Sequence, residues 1–348
     1  MKRTWQKVTN WELWPFWLRY APIGPVWLWY CLRARSFWFF SSSNPTITFG
    51  GFEGEGKKEM YEQLLPARRP HTIYINPNNS FDDLKKVVAE NEFNYPFCVK
   101  PDVGMKGLMF RKIDNEEQLR KYHGQVTFEY IIQELITLPI EASVFYYRYP
   151  NQKKGVITGF ILKQLLEVMG DGKSTLRQLI ETHPTAQHRI EEMYIKHAPK
   201  LNVVIPKGEH YLLTYAANLN RGAKFINLQQ EIDETLHQVF DEISHRTQFY
   251  YGRYDIKCAS IEELKKGNFK TLEFNGSGAE PNHVYQSGYS LFKAYKEILK
   301  HWKVLYDISR INNKKGVRYW EFKRGYQFLK DSRKHFAKLE EWDKKIFV

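Results

Sequence analysis

Between Arg253 and Gly278 the chain carries two runs, RYDIKC and TLEFNGSG, whose side chains alternate in character. Alternation of period two marks a strand with one face on a core. Tyr254, Ile256 and Cys258 form the apolar set of the first run, and Thr271, Glu273 and Asn275 share a face of the second. Two such strands side by side bring Asp255, Glu273 and Asn275 together. Three hard oxygen donors with no His or Cys nearby suit Mg²⁺ shared with substrate phosphates better than zinc or a dedicated calcium cage. Acids on strands also occur as plain solvated faces, so other segments have to decide between the two readings.

At 348 residues and 43% hydrophobic content, the chain can bury the core of one large domain or two lobes. Cys31, Cys98 and Cys258 form no CxxC pair, and their odd number and wide spacing argue for a reducing compartment without disulfides. Cys98 and Cys258 lie in apolar strand patterns and read as small buried side chains rather than nucleophiles. The eleven histidines show no HExxH or paired spacing, so no zinc enzyme is indicated. The formal charge of +13 sits at the ends, with +5 in residues 1–40, +7 in residues 310–348 and only +1 between them. A near-neutral body with basic flanks suggests docking to an anionic surface, either membrane or nucleic acid.

The first forty residues choose between these surfaces. They hold seven of the ten tryptophans, Trp5, Trp11, Trp14, Trp17, Trp27, Trp29 and Trp38. Trp and Tyr favour a membrane interface because the ring is apolar at one end and seeks water at the other. The longest uncharged apolar run, Tyr20 to Leu32, is 13 residues and contains Pro22, Gly24 and Pro25, too short and too broken to span a bilayer as a helix. Glu12 and Arg19 interrupt any signal-peptide core, and no small-x-small cleavage site follows. The expectation is a retained interfacial anchor, with Arg19, Arg33 and Arg35 meeting anionic headgroups. The alternative is that these aromatics pack on the body or form a homodimer interface. Nucleic acid is not expected, since basic residues in this region are few and no RNA-binding signature occurs.

Along the body, Lys57 to Leu65 reads as a helix closed by Pro66, and Ser80 with Asp83 as a capping box opening a helix to about Asn91. Phe97 to Lys100 is a strand that enters the loop Pro101-Asp102-Val103-Gly104-Met105-Lys106-Gly107. Gly104 and Gly107 allow backbone N–H groups to approach a polyphosphate, and Lys100 supplies a point charge. A helix near Asn115 to Tyr122 and a strand Phe128 to Glu134 follow. Glu134 and Glu141, on either side of an apolar linker, are candidates to hydrogen-bond adenine and ribose, and each also reads as a surface charge. Gly155 to Leu166 continues a hairpin. Gly170 to Thr175 is a turn feeding a Ser-capped helix; it lacks the GxxxxGK[ST] spacing of a Walker loop. Leu236, Val239, Phe240 and Ile243 stripe a helix from Asp233. Leu291, Tyr295, Ile298, Leu299, Trp302 and Tyr306 mark a last core helix, and the tail from Arg310 reads as helical and solvated.

The order of these parts resembles the ATP-grasp superfamily, in particular D-alanine:D-alanine ligase and related carboxylate-amine ligases. The resemblance covers residues 57 to 306: Lys57 or Lys58, Val99-Lys100-Pro101 with the glycine loop, Gln133-Glu134-Leu135 with Glu141, the turn Val168 to Ser174, Asn218 to Gly222, Gly252 to Asp255, and Glu273-Phe274-Asn275. It implies an α+β ATP-grasp fold, two lobes each with an antiparallel-rich sheet and helices, and the nucleotide between them. It further implies that Lys57 or Lys58, Lys100 and Lys106 meet ATP phosphates under the Gly104–Gly107 loop, that the Glu134–Leu135 hinge meets adenine, and that Glu141 holds ribose. Asp255, Glu273 and Asn275 would bind Mg²⁺, and Arg253 would stabilise the reacting phosphoryl group. Lys163 and Arg221 are weaker phosphate candidates. The backbone at Gly276-Ser277-Gly278 is expected to donate to a substrate carboxylate or oxyanion.

The implied reaction is phosphorylation of a carboxylate by ATP and attack of an amine on the acyl phosphate, needing no side-chain nucleophile. Most relatives carry a complete α/β domain before the first lysine, where this chain has about 55 Trp-rich residues. The expected layout is a Trp-rich segment 1–55, a nucleotide lobe 56–136, a catalytic lobe 137–306 and a basic helical tail 307–348. The leading expectation is a ligase in the cytoplasm, peripheral at the inner membrane face, acting on a lipid-linked or membrane-associated substrate. The alternatives are a soluble D-alanine:D-alanine or dipeptide-type ligase, and an ATP-binding scaffold or sensor without ligase activity.

Overall fold

The computed structural model describes residues 10–214 and 222–345. The two alternating runs form β10 (Tyr251–Cys258) and β11 (Phe269–Asn275), antiparallel, with Arg253 opposite Asn275 and Asp255 opposite Glu273. They belong to a five-stranded antiparallel sheet ordered β11-β10-β5-β6-β9, where β5 is Ile140–Tyr147, β6 Val156–Gln164 and β9 Lys224–Asn227. Because alternate residues face opposite ways, the sheet has two distinct faces. Tyr254, Ile256 and Cys258 join Ala142, Val144 and Tyr146 against Leu236, Val239, Phe240 and Ile243 of the Glu234–Thr247 helix. That helix starts where expected, with the Asp233 side chain accepting from Leu236 N.

The opposite face is split. Phe145, Tyr147 and Tyr251 are covered by Val304, Leu305 and Ile308 of the Leu291–Lys314 helix, while Asp255, Glu273 and Glu141 look into a cleft. The helix buries Ala294, Ile298, His301, Val304, Leu305, Tyr306 and Ile308, so Ile298 and Tyr306 of the expected stripe are buried and the rest of the buried face lies to one side of it. Trp302 instead meets Trp27 and Tyr20, because the helix is sandwiched between the sheet and the N-terminal segment and needs two apolar faces.

A second antiparallel sheet, β1-β4-β2-β3, forms the other wall of the cleft; its strands are Thr72–Ile75, Tyr130–Glu134, Phe97–Pro101 and Arg111–Ile113. The helices Phe81–Glu90, capped by Ser80, and Glu116–His123, capped by Asn115, supply Leu84, Val88, Leu119 and Tyr122 to its core. The helix at Lys57 ends at Tyr61 rather than Leu65. The helix after the GDGKS turn is capped by Thr175 in a capping box with Gln178, not by Ser174, whose hydroxyl donates to Asp171. A small two-stranded antiparallel sheet, β7 (Glu167–Met169) with β8 (His210–Leu212), completes the strands.

The two ends of the chain depart furthest from expectation. In the Gly24–Ala34 helix Trp27 and Tyr30 pack on Phe39, Trp302 and Tyr306, yet Leu28, Trp29 and Leu32 point outward, as do Leu13, Phe16 and Trp17. The aromatic segment is thus divided between packing on the body and open exposure; Trp5 lies outside the described residues. Among the described residues no helix is long and apolar enough to cross a membrane. The tail from Arg310 is helical but not solvated along its length. The Phe322–Lys345 helix buries Gly325, Ser332, Phe336 and Leu339. Phe336 and Leu339 join the core of the four-stranded sheet, and Phe328 and Leu329 the aromatic cluster around Phe49. Its apolar residues recur at helical spacing among many lysines and arginines, so the charge count masked an amphipathic element.

Candidate active site

Local chemistry explains how the cations gather in the cleft, which has a volume of about 480 Å³. The turn at Gly56 passes so close to Asp102 that a β-carbon there would lie 2.6 Å from Oδ2. Lys57 N donates to the Asp102 carbonyl and Lys58 N to its carboxylate. The first turn of the Lys57–Tyr61 helix is thereby docked at the end of β2, bringing Lys57 beside Lys100. Successive helix positions point about 100° apart, so only one lysine can enter. Lys57 does, with its side chain 12% exposed and Nζ 3.9 Å from Glu273 Oε1; Lys58 points out, 54% exposed, toward Glu62. Lys100 Nζ donates to Tyr61 OH at 3.4 Å, and burial lowers its pKa, opposed by nearby anionic groups that include Glu273 and Glu141.

On the facing sheet, Asp255 is buried with Lys163 Nζ at 3.0 Å and Arg253 Nε at 3.2 Å, and Ser143 Oγ donates to it. Burial would raise its pKa, but Arg253 and Lys163 outweigh that and hold the carboxyl at about 2. Lys163 also lies 3.8 Å from Glu141, its partner across β5 and β6. Burial raises the Glu141 pKa while Lys163 and Lys257 pull it back. Arg253 reaches the Glu280 carbonyl at 3.4 Å. The donor set fits a hard divalent cation: Glu273 is open to the cleft, Asp255 lies directly across the ladder from it, and Asn275, two residues beyond Glu273, also lines the cleft. Gly104, Lys106 and Gly107 line the opposite rim, with Lys106 and Gly107 in the left-handed region.

Two of the expected groups are placed differently from their assigned roles. The N–H groups of Ser277 and Gly278 donate to the carbonyls of Gly50 and Gly51, and Ala279 N to Gly276. A β-carbon on Gly276 would sit 2.4 Å from the Gly50 carbonyl oxygen, so the two backbones cross closely there, and the Ser277 and Gly278 donors assigned to an oxyanion are already used. Glu134 is exposed at the sheet's outer end, where its carboxylate accepts from His71 N. Neither Glu134 nor Leu135 lines the cleft, although a second cavity of about 940 Å³ that begins at Pro139 shares Glu141, Lys163 and Phe225 with it. Arg221 lies outside the described residues.

The structure adds groups that no motif flagged. Glu55 lines the cleft, its Oε2 buried without a partner, and burial raises its pKa to about 7. Glu280 accepts from Tyr20 OH at 2.5 Å and from Tyr285 OH at 3.3 Å. Arg19 donates to Tyr285 OH at 2.9 Å. The Trp-rich segment therefore forms part of the wall behind Glu280. In the sequence this segment stood out only by its tryptophans and tyrosines.

No family model and no curated protein matches the chain. Solved structures similar to it include a bifunctional glutathione synthetase from Pasteurella multocida, at 15% identity and TM-score 0.38 over 71% of this chain and 35% of that one. A D-alanine–D-alanine ligase from Bacillus anthracis follows at 13% identity and TM-score 0.39, over 75% and 68%. VanG D-Ala:D-Ser ligase from Enterococcus faecalis has 13% identity and TM-score 0.41, over 72% and 61%. The chain thus spans about a third of the synthetase and under two thirds of VanG. The chain itself has an α+β architecture of antiparallel sheets and helices.

Proposed function

We propose that the chain is an ATP-dependent carboxylate-amine ligase that forms an amide through an acyl phosphate. The observation that supports this most is the convergence, between two antiparallel sheets, of Asp255, Glu273 and Asn275 with Lys57, Lys100, Lys163 and Arg253. Four cations facing three oxygen donors suit a polyphosphate carrying a divalent cation. Asp255, Glu273 and Asn275 would hold Mg²⁺, which when bound would supply charge neutralisation to the phosphates. Lys57 and Lys100 bind phosphate oxygens from one wall while the Gly104–Gly107 loop covers them. Arg253 and Lys163 stabilise the charge that builds as a carboxylate oxygen attacks the γ-phosphorus and ADP leaves. Attack of the amine on the acyl carbon then expels phosphate, and Glu55, with a pKa near neutrality, is the cleft group suited to take the ammonium proton.

We further assign the substrate to a membrane surface, met from the cytoplasmic side. Leu28, Trp29 and Leu32 form an outward apolar stripe on a helix whose inner face is also apolar, with Arg33 and Arg35 exposed beside it. Such a stripe flanked by arginines matches an interfacial helix on anionic lipid. The same segment, through Tyr20, reaches the cleft wall at Glu280. The test follows ADP and phosphate release with Mg²⁺ and an amino-acid mixture, with and without a membrane lipid extract, using Glu273→Gln as the blank. Release that requires lipid supports the whole reading. Release with amino acids alone leaves the ligase and removes the membrane substrate, and no release under any condition favours a non-catalytic nucleotide binder.

A further inference from the structure

Behind the cleft, one strand position past Asp255, the same sheet face carries a second group of ligand-type side chains. Arg253 pairs with Phe145 and Phe145 with Gly159 across β10, β5 and β6. His283 lies against Gly159, where an added β-carbon would be 2.1 Å from its Nδ1. His301 sets its ring edge-on to Phe145, with centroids 4.5 Å apart. Glu297 precedes His301 by one helical turn and so shares its face of the Leu291–Lys314 helix. One ligand atom from each of His283, Glu297 and His301 falls within 4.8 Å of the others, the only such group of three among the described residues.

The nitrogens are the anomaly. His283 and His301 are 2% and 1% exposed, and His283 Nδ1 with both ring nitrogens of His301 lacks any hydrogen-bond partner. A neutral imidazole carries one donor and one acceptor, and buried polar groups are nearly always satisfied. We propose that His283, Glu297 and His301 hold a divalent transition-metal ion, zinc before the others, in a structural site. Two imidazoles and a carboxylate are the donors that borderline metals favour, in contrast to the all-oxygen set at Asp255. Bonds of about 2.0–2.1 Å put tetrahedral ligand atoms about 3.3 Å apart, so the three side chains close in from within 4.8 Å when the ion binds. The ion ties the helix to the Asn282–Val284 turn, whose Asn282 lines the cleft. It therefore holds one wall of the active site and needs no role in the reaction.

The test uses the full chain purified without chelator. Elemental analysis is expected to find about one zinc per chain, and stripping followed by Co²⁺ loading to give the visible d–d bands of a low-coordinate nitrogen and oxygen site. His301→Phe, which keeps an aromatic ring against Phe145, should lose the ion and the bands. Glu297→Gln, at a half-buried position, should weaken Co²⁺ binding by more than about a hundredfold, above the effect of losing an outer-shell partner. Glu273→Gln, in the other site, should leave both unchanged. A folded, metal-free protein that gains neither bands with Co²⁺ nor melting temperature with Zn²⁺ would mean that buried water serves these nitrogens, and would overturn the proposal. Undiminished Co²⁺ binding in Glu297→Gln, or full metal content in His301→Phe, would do the same.

Discussion

Glu273 and Asp255 face each other across one ladder, yet they live in different surroundings and should fail differently when changed. Glu273 opens to the cleft with a single lysine 3.9 Å away, so Glu273→Gln should abolish turnover with a melting curve close to wild type. Asp255 is buried between Lys163 and Arg253. Asp255→Asn leaves two buried cations without their partner and should cost roughly 3–5 kcal/mol, the usual penalty for breaking a buried pair. The pH dependence has a fixed sign. The carboxyl is held at about 2 against an ordinary value of 3.8, so its contribution is complete above that ordinary value and lost as pH falls toward the lower one. Denaturant unfolding of wild type and Asp255→Asn should therefore converge as pH drops through that window; a constant gap would refute the pairing. Glu55 has the opposite shift, up to about 7. If it accepts the amine proton, the activity of wild type should rise through pH 7, and Glu55→Gln should lose that limb. Asp255, Glu273 and Lys100 were legible in the sequence because strand periodicity fixes which way a side chain points. Glu55 was not, since its pKa comes from burial by segments distant along the chain.

Among the elements, the Phe322–Lys345 helix has the clearest unexpected consequence. Asp343 accepts from Met109 N and Arg111 Nη1, both at 2.8 Å, and His335 Nε2 lies 2.8 Å from the Val103 carbonyl. Both ends of the glycine loop are thus fastened to a helix more than two hundred residues away. Asp343→Ala should destabilise the protein by about 2–3 kcal/mol, as a half-buried charged hydrogen-bond partner is lost. It should also weaken ATP binding, whereas Glu341→Ala on the exposed face should do neither; denaturation and nucleotide titration would check both. The strands around Asp255 and the helix from Asp233 could be read directly, because their periodicity is clean and their caps are local. The tail was misread because lysines and arginines dominate its composition, while only a few positions, Phe336 and Leu339 foremost, decide its packing.

For the whole molecule, the N-terminal segment joins surface to site. Replacing Leu28, Trp29 and Leu32 together by Ser should leave the fold intact, since none of the three is buried, and should abolish sedimentation with anionic vesicles. Loss of dimerisation instead, seen by ultracentrifugation, would identify the stripe as a contact between copies. The sequence by itself determined the alternating strands, the face shared by the oxygen donors and the basic, aromatic flanks, because each follows from local spacing and side-chain chemistry; the phosphate lysines beyond Lys100 came from the family resemblance. Only the tertiary structure decided that Lys57 and not Lys58 enters the cleft and that the Ser277 and Gly278 donors are spent on Gly50 and Gly51. It alone closed the glycine loop with the last helix and set His283 against His301. Those outcomes depend on which distant backbone a residue meets, and no local pattern encodes that meeting.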